Sequence, residues 1–141
     1  MCYKYLPKVN HSSIILIGED DIDDQEILLD IFKDFNETIE LHFVNNGKQL
    51  IKHLNEMEET ALPCLILLDY NMPELNGEEI LKKINMNDRF INIPKIVWST
   101  SNSNDYRERC IDAGAVEYFV KPSTIQSLKD TLLHIVSFCE L

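Results

Sequence analysis

Three apolar runs divide the chain: Ile14-Ile15-Leu16-Ile17 closed by Gly18, Cys64-Leu65-Ile66-Leu67-Leu68 closed by Asp69, and Ile96-Val97-Trp98 closed by Ser99. Their apolar residues are continuous rather than alternating, which marks strands covered on both faces and therefore a parallel sheet. Two weaker strands are predicted at Glu40 to Val44 and Val116 to Val120. Helical periodicity fills the intervals: Ile27, Leu28, Ile31, Phe32 and Phe35 form one stripe, and Leu50, Ile51 and Leu54 another. A third helix is predicted over about Gly77 to Asn85, with Glu78 and Glu79 in its first turn and Lys82 and Lys83 in its last, the polarity the macrodipole favours. Asn104 or Asp105 is the expected cap of a fourth helix ending near Gly114 at a left-handed position. Ser123 with Gln126 reads as a capping box opening a fifth, with Leu128, Leu132, Ile135 and Val136 facing inward. Five strands alternating with five helices imply right-handed crossovers and a doubly wound α/β sheet, with any site at the carboxyl ends of the strands.

Composition narrows the function classes. The 141 residues suit one domain able to bury about two-thirds of its unfolded surface, so no metal or disulfide staple is needed. With 13 Lys+Arg against 24 Asp+Glu the net charge is −11, which phosphate backbones and anionic lipid repel; no nucleic-acid or membrane partner is expected. Cys2, Cys64, Cys110 and Cys139 form no C-x-x-C pair and read as small buried hydrophobes in a reducing compartment. Apolar runs are too short to span a bilayer and no secretory signal opens the chain, so a cytoplasmic protein is expected. Residues 1–12 read as a tail and 13–141 as a single domain with no second domain attached.

Residues directly after the strands carry the candidate chemistry: Glu19 and Asp20, Asp69 and Asn71, Ser99 and Thr100, and Lys121. Crowded carboxylates repel, which calls for a divalent cation and the lysine as compensating charge. Oxygen-only donors favour Mg²⁺, which keeps several waters and accepts phosphate oxygens. Taken singly, each residue has a plain reading: Asp69 to Pro73 as a turn, Ser99 as a strand-end hydroxyl, Lys121-Pro122 as a loop. Asp21, Asp23 and Asp24 read as an acidic helix start rather than as site residues. Their joint placement at the ends of four strands turns the set into a phosphoryl-transfer inventory.

With those residues in place, the chain resembles the receiver domain of two-component response regulators. Ile14 to Asp21 resembles the family's first strand and acidic pair, and Leu65 to Pro73 its phosphoacceptor strand and loop. Ile93 to Thr100 resembles the fourth strand, and Gly114 to Pro122 the fifth with its aromatic, lysine and proline. The resemblance implies a flavodoxin-like sheet of strand order 2-1-3-4-5. It also implies that Asp69 takes a phosphoryl group from a phosphohistidine of a sensor histidine kinase or a histidine phosphotransfer protein, by self-catalysed transfer rather than as an enzyme acting on others. Glu19, Asp20, the Asp69 carboxylate and the Asn71 backbone carbonyl would hold Mg²⁺. Lys121 and Ser99 would contact phosphoryl oxygens, and Tyr118 and Thr100 would belong to the switch. A cis Lys121-Pro122 bond follows from the same likeness; a switch at Ser99 and Tyr118 would change the surface of the fourth helix, fifth strand and fifth helix, the expected partner or homodimer face.

The chain departs from the family pattern at Glu19, where Asp is usual, and at Ser99, where Thr is commoner; neither change removes a chemical group. Asn36 to Pro63 is long, implying an extended second helix or following loop. A haloacid-dehalogenase-like phosphatase also uses a strand-end Asp and Mg²⁺, but needs an acid two positions on, where this chain has Asn71. A binding module that is never phosphorylated has no use for Asp69, Ser99 and Lys121 together. An FMN carrier would need a Ser/Thr/Gly-rich phosphate loop after the first strand, and none follows Gly18 here.

Overall fold

The computed structural model describes residues 13–35 and 38–139, leaving the proposed tail, Cys2 and the Phe35 side chain outside the described residues. The chain alternates through β1 (Ile14–Gly18), α1 (Ile22–Phe35), β2 (Glu40–Val44), α2 (Gly47–Glu56), β3 (Leu65–Asp69), α3 (Gly77–Asn85), β4 (Lys95–Ser99), α4 (Asn104–Asp112), β5 (Glu117–Val120) and α5 (Ile125–Val136). The sheet is parallel throughout, in the order β2-β1-β3-β4-β5. The expected fold class is therefore the observed one. The additional length before β3 lies after α2, in a connection containing a 3₁₀ turn at Glu59–Ala61.

Each sheet face builds its own core because neighbouring strand residues point in opposite directions. Leu16, Ile66, Leu68 and Val97 pack with Leu50, Ile80, Leu81, Ile84 and Cys110 of α2, α3 and α4. Ile15, Ile17, Leu65, Leu67 and Ile96 pack with Leu28, Ile31 and Phe32 of α1 and Leu132 and Ile135 of α5. The stripe expected on α1 is narrower than its pattern, since Ile27 is partly exposed.

Local chemistry sets the helix ends. Asn76 and Glu79 form a reciprocal capping box on α3. Ser103, rather than Asn104 or Asp105, caps α4. Thr124 caps α5 by accepting the Ser127 N–H at 3.1 Å, so the Ser123–Gln126 box is not formed and Gln126 instead donates to Asp130. Gly114 has φ +110°, as its place after α4 demands, and the Asn85 side chain occupies the space a Cβ would take.

Two expectations are corrected by the tertiary structure. Cys64 and Cys139 are joined by a disulfide that ties the chain beyond α5 to the start of β3, with Cα atoms 5.1 Å apart, so the expectation of reduced thiols does not hold for this pair; among the described cysteines only Cys110 is a free buried thiol. Packing α5 along β3 brings together two cysteines that sequence spacing left unrelated. The Lys121–Pro122 bond is not cis, as no described peptide bond is. Lys121 N–H still continues the sheet by donating to Ser99 O at 2.7 Å. Because α5 is capped one residue later than expected, Pro122 and Ser123 redirect the chain without a cis bond.

Candidate functional site

Parallel strands β1, β3, β4 and β5 end at one edge of the sheet and there expose Glu19, Asp69, Ser99 and Lys121 to one another. Asp69 is the last residue of β3 and is buried, with its Oδ2 2.8 Å from Lys121 Nζ and its Oδ1 accepting the Asn71 N–H at 3.1 Å. Glu19 is 1% exposed; its Oε1 accepts from Lys121 Nζ at 3.0 Å, while its Oε2 is buried without a hydrogen-bond partner. Asp20 is exposed, and oxygens of Glu19, Asp20 and Asp69 lie within 4.8 Å of one another.

The electrostatics follow from one ammonium serving several carboxylates. Burial pushes the Glu19 carboxyl up to about 7 against the lowering pull of Lys121, and the Asp69 charge adds to the rise. Burial disfavours the Lys121 charge, but its bonds and attraction to Asp69 and Glu19 outweigh that and hold its pKa above the ordinary lysine value. An orphaned, desolvated carboxylate oxygen beside two further carboxylates is a suitable ligand for a divalent cation, since a hard cation would satisfy the oxygen and neutralise the excess charge. Glu19, Asp20 and Asp69 thus fit the group expected there. Asn71 follows in the same loop, adjacent to the cluster through its N–H bond to Asp69.

Ser99 is fully buried at the end of β4, and its Oγ accepts the Ser101 N–H at 3.1 Å. Thr100 is exposed. Tyr118 is 3% exposed, its ring turned inward and its hydroxyl donating to Ser101 O at 2.8 Å. Burial raises the Tyr118 pKa, with a hydrogen bond from Ser99 acting in the opposite direction.

Four further residues belong to the site although their sequence signals did not single them out as parts of it. Asp24 Oδ2 is 3.9 Å from Lys121 Nζ, so α1 does not carry it away from the site as an acidic helix start would suggest; its spacing of four from Asp20 was the available clue. The Trp98 ring lies under Lys121, 5.5 Å from Nζ to the ring centroid. Arg107 covers the Tyr118 ring at 5.2 Å and donates to its carbonyl at 3.0 Å. Tyr106 stacks on Tyr70, the residue after Asp69, with centroids 4.3 Å apart and planes at 15°, joining the β3–α3 connection to α4. Beside the carboxylates, Ile27 and Leu28 of α1 and Ile125 and Leu128 of α5 line a cavity of about 190 Å³ that reaches Glu19 and Lys121.

Comparison with known proteins agrees with this geometry. The family model for the response regulator receiver domain matches residues 15–133. A probable methanogenesis regulatory protein, FilR2 of Methanothrix harundinacea, is 29% identical over 127 residues, covering 89% of this chain and 82% of that protein. The phosphorylated cyanobacterial phytochrome response regulator RcpA superposes with a TM-score of 0.80 at 26% identity, over 92% of this chain and 94% of that one. The Mn²⁺-bound form of response regulator Rcp1 gives 0.78 at 28% identity, over 90% and 94%. With its strand order, its buried strand-end aspartate bonded to Lys121, and a family match over nearly its whole described length, this chain belongs to the response regulator receiver domain family.

Proposed function

We propose that Asp69 is the phosphoacceptor of a two-component pathway, receiving a phosphoryl group from the phosphohistidine of a sensor histidine kinase or a histidine phosphotransfer protein. The observation that carries this reading is the buried Asp69 carboxylate held 2.8 Å from Lys121 beside Glu19, whose second oxygen has no partner. An Asp69 oxygen attacks phosphorus while the P–N bond to the donor imidazole, protonated on its other ring nitrogen, breaks; the bond electrons return to the leaving nitrogen, giving an acyl phosphate and a neutral histidine. Lys121 bonds Asp69 and so stands beside the incoming charge. Ser99 Oγ accepts a backbone N–H, and its own proton can turn from Tyr118 to a phosphoryl oxygen. Mg²⁺, held by Glu19, Asp20, Asp69 and the Asn71 carbonyl, would supply charge neutralisation at the phosphoryl oxygens. The protein is a self-modifying acceptor rather than an enzyme with a turned-over substrate, and we place it in the cytoplasm with its kinase; among the described residues no helix is long and apolar enough to cross a membrane.

Readout would pass through Ser99 and Tyr118. A phosphoryl oxygen draws the Ser99 hydroxyl toward Asp69 and favours the inward Tyr118 ring already bonded to Ser101 O. The affected face, α4, β5 and α5, exposes Ile111, Val116, Val120 and Leu133, an apolar set suited to a partner or a second copy of the chain. The test is intact-mass spectrometry after incubation with acetyl phosphate and Mg²⁺. Wild type should gain one phosphoryl group, while Asp69→Asn or removal of Mg²⁺ by a chelator should give none. A full adduct in Asp69→Asn would refute the assignment, and an unmodified wild type would favour a binding module that is never phosphorylated.

A further inference from the structure

Away from the acidic cluster, edge strand β2 and helix α2 bring two imidazoles together. His42 Nδ1 lies 3.2 Å from His53 Nε2, and the other nitrogen of His42, Nε2, lies 2.8 Å from Glu40 Oε1. The carboxylate fixes the tautomer: His42 carries its proton on Nε2, toward Glu40, and presents a lone pair at Nδ1. Two imidazole nitrogens bound to one tetrahedral metal at about 2.0–2.1 Å stand about 3.3–3.4 Å apart. The observed separation, a hydrogen bond between the rings, is close to that bite, so a small turn of the rings would aim both lone pairs at one ion, and the carboxylate–histidine pair is the outer support that metal-binding histidines commonly have. His42 is partly open to solvent, with 27% of its side chain exposed, so an ion can reach it.

We propose that His42 and His53 form a site for a borderline transition-metal cation such as Zn²⁺, with Glu40 as its outer-sphere partner and water in the remaining positions. Imidazole donors select such ions over Mg²⁺, so the site is chemically separate from the all-oxygen cluster at Glu19, Asp20 and Asp69. Binding replaces the hydrogen bond between the rings: the His53 proton passes through solvent from Nε2 to Nδ1, so that both imidazoles stay neutral and each presents a lone pair to the ion. The ion would clamp α2 to the sheet edge through His42 of β2, where Leu50 and Leu54 already bury one side of the helix.

The test is calorimetric titration of the full chain with ZnCl2 in excess MgCl2, which keeps the acidic cluster occupied by the harder ion. Wild type should take up one Zn²⁺. His42→Gln and His53→Gln should each weaken binding more than tenfold, Glu40→Gln about tenfold, and His134→Gln, whose imidazole pairs elsewhere with Glu117, not at all. In a parallel NMR titration, Cu²⁺ should broaden amide signals of β2 and α2 first. No Zn²⁺ uptake, unchanged uptake in both His42→Gln and His53→Gln, or Cu²⁺ broadening confined to the ends of β1 and β3 would overturn the proposal. Phosphorylation of Asp69 can fail or succeed independently of each of these outcomes.

Discussion

Lys95 opens β4 with its side chain almost wholly enclosed, at 2% exposure, and its Nζ donates to the carbonyls of Phe90 and, at 3.2 Å, Ile91. These acceptors are carbonyl dipoles rather than carboxylates, so burial dominates and pulls the ammonium pKa from 10.5 down to about 8. Between those two values the unfolded chain holds a proton that the native protein has released. Unfolding then takes up a proton, and stability rises with pH across that window. At 1.36 kcal/mol per pH unit the interval corresponds to about 3 kcal/mol. Lys95→Met keeps an unbranched side chain, one atom shorter, and removes the titration. Urea denaturation of both proteins from about pH 7 to about pH 11 should show wild type gaining about 3 kcal/mol relative to Lys95→Met, mostly above pH 8. The comparison cancels other alkaline groups, including the Cys110 thiol that burial pushes up to about 11. A stability difference that stays flat with pH would refute the claim that Lys95 is a desolvated ammonium.

Reducing the Cys64–Cys139 disulfide, whose residues are 75 apart, should lower unfolding free energy by up to about 4.5 kcal/mol on the chain-entropy estimate. Thermal melts with and without a dithiol reductant measure this, and identical melts would contradict the link. Gly114→Ala should cost about 1–3 kcal/mol because φ is +110° and the Asn85 side chain blocks a Cβ, again read by urea titration. In Ser99→Ala, a beryllofluoride mimic at Asp69 should no longer shift NMR signals of the α4, β5 and α5 face as it does in wild type. Equal responses would remove Ser99 from the coupling.

Local pattern carried most of the architecture. The continuous runs around β1, β3 and β4 reflect burial on both faces, and α3 announces itself through its charged first and last turns. β2 keeps its expected bounds even though it is only half buried. Lys95 was hidden because a charged residue breaks the apolar run of β4, although its stem and head are enclosed. The cap of α5 moved from Ser123 to Thr124 because two neighbouring hydroxyl residues offer equivalent local chemistry, and the path of the chain decides between them. Glu19, Asp69, Ser99 and Lys121 were legible because strand ends of a doubly wound sheet converge. Asp24, Tyr106, Arg107 and the Cys64–Cys139 link depend on how helices lie across the sheet, which periodicity does not encode.

The central claim is that Asp69, and no other carboxylate of the cluster, forms the acyl phosphate. Borohydride reduction converts a phosphorylated aspartate to homoserine, so peptide mass spectrometry after acetyl phosphate, Mg²⁺ and borohydride locates the modified residue directly. Conversion at position 69 alone is the expected result. Conversion at Asp20 or Asp24 with Asp69 intact would contradict the claim.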